Sequence, residues 1–127
     1  MGQWRLLVVE DEVDSANVVE MILNAAQIDT DVTSNAEDAL DRVLSHPDKY
    51  AAIIIDLALP GMDGFALMKA IRATASVKHL RLVAVTAFHT PELRSRAIKA
   101  GFDAYVPKPL DTTLFVGTLE RLLNQST

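Results

Sequence analysis

Residues 53–64 read IIIDLALPGMDG. Three β-branched isoleucines run into a single carboxylate at Asp56, and a Pro-Gly-Met-Asp-Gly turn closes the stretch. A short, continuously apolar run of this kind predicts a strand covered on both faces, the pattern of a parallel sheet. A carboxylate at the end of such a strand is costly unless something pairs with it. Asp56 therefore calls for partners from elsewhere in the chain.

Working outward, apolar runs alternate with segments of helical period. RLLVV (5–9) predicts a strand, and Ala16, Val19, Leu23 and Ala26 then share one face of a helix. TDVTS (30–34) is shorter and more polar, as suits an edge strand. Ser34 and Glu37 have capping-box spacing ahead of a stripe of Ala36, Ala39, Leu40, Val43 and Leu44. AAIII (51–55) precedes a helix over about 64–73 with Asp63 as its N-cap. LRLVAVTA (80–87) is followed by Thr90 as N-cap, Pro91 at the first helical position, a Leu93, Ala97, Ala100 stripe, and Gly101 as the stop. AYV (104–106) is a short last strand, and Asp111 opens a helix that packs Phe115, Leu119 and Leu122. Repeated strand–helix units with apolar central strands predict a doubly wound α/β fold, a five-stranded parallel sheet covered by helices on both faces.

The chain has 127 residues, 50% hydrophobic and 23% charged, which predicts one domain over 1–127. Without cysteine there is no disulfide, thiol catalysis or thiolate metal site. A net charge of −5 with twelve scattered basic residues argues against a nucleic-acid surface. No apolar run reaches the roughly 18 residues of a membrane span. Met1 to Arg5 does not resemble a signal peptide. The expected location is the cytoplasm, without nucleic-acid or membrane partners.

Ligands of such sheets sit beyond the carboxyl ends of the strands. There the first strand presents Glu10 and Asp11, the third Asp56, the fourth Thr86, and the fifth runs into Lys108 and Pro109. Three carboxylates in one place repel each other, and a divalent cation relieves them. An all-oxygen donor set without His or Cys suits Mg²⁺, with Mn²⁺ as the alternative. Lys108 supplies further positive charge. A carboxylate held beside such a cation can act as nucleophile in phosphoryl transfer, with an ammonium and a hydroxyl stabilising the equatorial oxygens.

With VVEDE (8–12), DLALPGMDG (56–64), VTA (85–87) and DAYVPKP (103–109) in order, each at a strand end, the chain resembles the receiver domain of two-component response regulators over essentially its whole length. The resemblance implies a flavodoxin-like strand order of 2-1-3-4-5. It implies that Asp56 takes a phosphoryl group from a sensor histidine kinase or a histidine phosphotransfer protein. Asp11, Asp56 and the Ala58 carbonyl would then bind Mg²⁺, with Glu10 acting through a water. Thr86 and Lys108 would bind the phosphoryl oxygens, Tyr105 would be a switching aromatic that turns inward, and Pro109 would follow a cis peptide bond. A downstream effector would read the face formed by 91–123.

Other readings carry less. A haloacid-dehalogenase-type phosphatase resembles D-x-D-x-[TV], but Ala58 stands at the second Asp. A flavodoxin needs a hydroxyl- and glycine-rich phosphate cradle, and the first loop here is acidic. A pseudo-receiver would have lost the acceptor, the acidic pair or the lysine. Ala58 and Phe88 occupy the positions from which polar residues in the family assist hydrolysis, and neither can do so. Leu59 is a conservative departure. His46, His79 and His89 lie in separate loops without metal-ligand spacing and are expected to be solvated.

Overall fold

Successive side chains of a strand point to opposite faces, so a strand buried on both sides must serve two cores. That is the arrangement in the computed structural model, which describes residues 4–124. Residues 1–3 and 125–127 of the expected domain lie outside the described residues. The elements run β1 (Arg5–Val9), α1 (Val13–Ala25), β2 (Asp29–Thr33), α2 (Ala36–Ser45), β3 (Ala52–Asp56), α3 (Gly64–Arg72), β4 (Arg81–Thr86), α4 (Pro91–Ala100), β5 (Ala104–Pro107) and α5 (Thr112–Asn124). All strand pairs are parallel, in the order β2-β1-β3-β4-β5. The doubly wound α/β expectation holds, as does the strand order that the resemblance implied.

The sheet separates two apolar clusters. Leu7, Val9, Ile53 and Ile55 face α2, α3 and the inner edge of α4, where Val43, Met68, Ile71 and Ala97 are buried. Leu6, Val8, Ile54 and Val83 face α1 and α5, where Val19, Leu23, Phe115 and Leu119 are buried. All these side chains are lost to water, and each fully buried Leu, Ile or Val contributes about 2 kcal/mol against the entropy of ordering the chain.

Local signals were read correctly at α3 and α4. Asp63 accepts from the Ala66 N–H at 2.9 Å, Thr90 accepts from the Leu93 N–H at 3.0 Å, Pro91 begins α4, and Gly101 ends it at φ 136°. Other expectations need correction. The cap of α2 is Asn35, which accepts from the Asp38 N–H at 2.8 Å, because Ser34 lies one residue too early for a helix that begins at Ala36. Leu44 is 41% exposed, while Ala36, Ala39 and Val43 of the stripe are buried and Leu40 packs partly against the same core. Ala100 faces solvent at the end of α4, and Ala26 is only half-buried just beyond α1. In α5 the third buried position is Leu123, with Leu122 half-buried. β2 and β3 are also displaced by a residue, so Asp56 is the last paired residue of β3, opposite Val85.

Two polar clusters tie the periphery. Arg72, at the end of α3, donates to the carbonyls of Gly101 (3.1 and 2.8 Å), Lys78 (2.8 Å) and Leu80 (2.6 Å) and to Asp103 Oδ2 (2.8 Å). Asp103 Oδ2 also accepts the Leu82 N–H at 2.8 Å. On edge strand β2, Asp31 accepts from Arg5 at 2.8 Å and the Tyr50 hydroxyl at 2.6 Å, with Lys49 at 3.4 Å. Burial pushes the Asp31 carboxyl up, but Tyr50, Lys49 and Arg5 outweigh it and hold its pKa below the ordinary 3.8. A lowered folded-state pKa stabilises the protein above the unfolded value and loses that contribution as pH falls through the folded one. Asp31→Asn is therefore expected to cost about 2 kcal/mol at neutral pH, and the gap should close as the pH drops below 3.8. Urea denaturation of both proteins at the two pH values checks this; a gap that persists in acid would assign the loss to packing.

Candidate functional site

The carboxyl ends of β1, β3 and β4 each deliver a nearly buried polar residue to one rim of the sheet. Glu10 is held to the sheet by its own N–H, which donates to the Thr33 carbonyl at 3.0 Å. Glu10, Asp56 and Thr86 are 4%, 7% and 1% exposed, whereas Asp11 is open to solvent. One carboxylate oxygen from each of Glu10, Asp11 and Asp56 lies within 4.8 Å of the others. Among the described residues this is the group with metal-holding geometry, and no histidine belongs to it.

Lys108, just beyond β5, reaches into the same place. Its Nζ lies 2.6 Å from Glu10 Oε1 and 3.3 Å from Asp56 Oδ2. The remaining oxygens are occupied by backbone: Asp56 Oδ1 accepts the Ala58 N–H at 2.9 Å, and Glu10 Oε2 accepts the Glu12 N–H at 3.2 Å. Thr86 ties the end of β4 to the residue after β5, its carbonyl accepting the Lys108 N–H at 2.8 Å, and its Oγ1 accepts the Phe88 N–H at 3.0 Å. The Lys108–Pro109 peptide bond is cis. Helix α3 is pressed close to the site, for a Cβ at position 64 would meet the Asp56 carbonyl at 2.7 Å and Leu57 Cα at 2.9 Å. Only glycine fits there.

The electrostatics show what the pocket lacks. Burial, then a hydrogen bond shared with Asp56 and the Asp56 charge, push Glu10 up to about 7 against the opposing pull of Lys108. Burial lowers the Lys108 pKa, but Glu10 and Asp56 more than offset this and raise it, so the ammonium stays charged. Three carboxylates against one ammonium leave the pocket short of positive charge. Burial and the neighbouring Asp56 charge thus favour the protonated form of Glu10.

Glu10, Asp11, Asp56 and Lys108 are thus brought together, with Thr86 on the neighbouring strand end. Ala58 is exposed beside them, and Phe88 is 70% exposed, its ring turned to water. Tyr105 lies apart on β5, paired with Ala84 of β4. It is buried in this structure, 5% exposed. Sequence reasoning also missed His89. Although exposed, it is not merely solvated: its Nδ1 lies 2.9 Å from the Tyr105 hydroxyl, with ring centroids 5.4 Å apart. The spacing of a loop histidine and a strand tyrosine gives no sequence signal of this contact.

The profile of the response regulator receiver domain matches residues 6–120. The polar-differentiation response regulator DivK of Brucella anthropi is 28% identical over 95% of this chain and 97% of its own length. Other curated relatives are longer, and the chain spans 53% of one and 5% of another. Among solved structures, a sensor protein from Polaromonas sp. JS666 superposes with a TM-score of 0.88 at 30% identity, covering 99% of this chain and all of that one (100%). The receiver domain of sensor histidine kinase PA1611 from Pseudomonas aeruginosa PAO1, with a magnesium ion coordinated in its active site cleft, superposes at 0.86 and 24% identity over 97% and 99% of the two chains, and attests the fold. By fold, by strand-end residues and by sequence, the chain belongs to the response regulator receiver domain family, the signalling modules of two-component systems.

Proposed function

We propose that Asp56 is the phosphoacceptor, that Asp11, Asp56 and the Ala58 carbonyl hold Mg²⁺ (or Mn²⁺) with Glu10 beside them, and that the donor is a sensor histidine kinase or a histidine phosphotransfer protein in the cytoplasm. The observation that carries this reading is Lys108 Nζ set between Glu10 and Asp56 above three converging carboxylates. The donor set fits a hard cation: it is all oxygen, open on the Asp11 side, and deficient in positive charge. When bound, the cation supplies charge to offset the phosphoryl oxygens.

The residues do the rest. An Asp56 carboxylate oxygen attacks phosphorus, the P–N bond of the donor phosphohistidine breaks with its electron pair returning to the imidazole, and an acyl phosphate forms. Lys108 follows the negative charge from the Asp56 oxygen to the phosphoryl oxygens. Thr86 accepts from Phe88 N–H, which leaves its own hydroxyl proton to donate to the phosphoryl group. An effector reads the change on the surface of residues 91–123.

Acetyl phosphate with Mg²⁺ is expected to add one phosphoryl group by intact mass, and chelation to prevent it. Calorimetry should show one Mg²⁺ site, weakened at least about tenfold in Asp11→Ala. Unchanged binding in that variant would remove Asp11 from the site.

The phosphoryl lifetime follows from two side chains. Ala58 has no group to hold a water in line with phosphorus, and Phe88 offers none. Adding Asn at 58 and Glu at 88 is expected to speed phosphoryl release roughly tenfold, about 1.4 kcal/mol in barrier. Since the Phe88 ring faces solvent, most of the gain should come from Ala58→Asn alone. Decay no faster in the double variant would show that water positioning is governed elsewhere.

A further inference from the structure

Ligands of doubly wound sheets gather at the carboxyl ends of the strands, but this chain also has a cavity at the amino ends. Its volume is about 390 Å³, room enough for a small organic molecule. It opens between Trp4 ahead of β1, Tyr50 ahead of β3, the His79–Arg81 entry to β4, and Leu123 near the end of α5. The walls are pinned by contacts of their own. The Trp4 carbonyl accepts the Asp29 N–H at 3.0 Å, and the Ala51 N–H donates to the Arg5 carbonyl at 2.9 Å. The Tyr50 hydroxyl is tied to Asp31, and Arg72 holds the carbonyls of Lys78 and Leu80 on either side of His79.

The lining has a definite chemistry. The half-buried Trp4, with Tyr50, Leu80 and Leu123, supplies ring and aliphatic surface. Arg81, the first residue of β4, supplies charge, and its donors are largely unspent. The nearest carboxylate is Asp103, but Asp103 Oδ2 is taken by Arg72 and by the Leu82 N–H, each at 2.8 Å. What remains to Arg81 is Asp103 Oδ1 at 3.8 Å, too long for a hydrogen bond. A guanidinium presents a planar fork of donors that matches a carboxylate, and an indole presents a flat face that matches a ring. We propose that this cavity is a binding site for a small aromatic carboxylate, its ring packed on the Trp4 indole and its carboxylate on the Arg81 guanidinium. An inorganic anion would leave the apolar walls unused, and a neutral ring would leave Arg81 unpaired. The cavity lies at the opposite end of the strands from the acidic rim, so the proposal stands independently of the phosphoacceptor reading.

Trp4 is the one tryptophan of the chain, so its indole N–H gives a single NMR resonance inside the cavity wall. The probes are 2-naphthoate, its neutral counterpart 2-naphthamide, and acetate, titrated into the full chain. Naphthoate should shift the indole resonance saturably, together with the amides of residues 50, 51 and 79–81, and leave those after residues 11 and 56 in place. Naphthamide should bind at least about fivefold more weakly, and acetate should not saturate. Arg81→Gln should weaken naphthoate about tenfold and leave naphthamide unchanged, while Arg81→Lys recovers part of the loss. Trp4→Leu should weaken both ring probes, read at the Ala51 and Leu80 amides. Undiminished acetyl phosphate labelling of each variant shows that it has kept its fold. Equal binding of naphthoate and naphthamide, an Arg81→Gln variant that binds naphthoate as wild type does, or shifts that never saturate overturns the proposal. So does a wild type that ignores naphthoate; if a chain ending at Asn124 then takes it up, the cavity belongs to the chain's own C-terminus.

Discussion

Asp56→Asn should gain no phosphoryl group from acetyl phosphate and Mg²⁺, at least about a hundredfold below wild type, and yet be the more stable protein when metal is chelated. The first effect follows from removing the nucleophile: an amide oxygen cannot form the acyl phosphate. The second follows from the charges. Asn keeps an oxygen for the Ala58 N–H, Lys108 keeps Glu10 at 2.6 Å, and one buried negative charge disappears. A stabilisation of about 1 kcal/mol is expected.

The pH dependence separates this from a packing effect. Glu10 is an acid whose pKa rises from 4.5 to about 7 on folding, so the folded state binds more protons than the unfolded one between these values. Stability of the metal-free wild type therefore falls as pH rises through that window. In Asp56→Asn the Asp56 charge and the hydrogen bond to its carboxylate are gone while burial, the largest cause, remains, and the fall should be shallower. Denaturation in chelator at about pH 5 and pH 7.5 reads it. A variant less stable than wild type at the higher pH would contradict the view of the site as charge-frustrated.

The largest loss of stability is expected from Arg72→Ala. This one guanidinium satisfies carbonyls at Gly101, Lys78 and Leu80 while pairing with Asp103 at 2.8 Å, and so joins the end of α3, the end of α4 and the entry to β4. Truncation leaves several partly buried acceptors and a carboxylate without their donor. A cost of about 3 kcal/mol follows, roughly 10 °C in Tm for a chain of this size. Arg72→Lys should recover less than half, since an ammonium cannot reproduce the fork. Below its lowered Tm, Arg72→Ala should still be phosphorylated, because none of these contacts touches the acidic rim. Thermal unfolding beside intact-mass phosphorylation tests both halves, and a shift of only one or two degrees would mean that water replaces the guanidinium.

Strands and their order of appearance were legible because β1, β3 and β4 are buried on both faces and so carry unbroken apolar runs. The strand-end residues were legible for a related reason: Glu10, Asp56 and Thr86 interrupt those runs with groups that burial disfavours. Weak local signals misled. Ser34 with Glu37 and Asn35 with Asp38 have the same spacing, and only the start of α2 at Ala36 decides between them. The stripe in α2 was read too wide because periodicity cannot say how deep a short helix sits on a sheet, which leaves Leu44 outside. Arg72 could not be found at all, as its partners are backbone carbonyls and any residue supplies those. The contact of His89 with Tyr105 was hidden because it joins two segments only after the sheet has formed.

The sheet that divides the interior also divides the ways in which substitutions can couple. Val8 and Val9 are adjacent in the chain but belong to opposite clusters, whereas Leu7 and Ile71, far apart in sequence, share one. Substitutions on opposite sides lack common partners and should combine nearly additively, while those within a side constrain each other. Repacking on the α2–α3–α4 side should therefore leave the packing of the α1–α5 side largely undisturbed. The acidic rim, fixed to strand ends that both sides hold, is carried along unchanged. Changes in one core can thus be made and measured without rewriting the other.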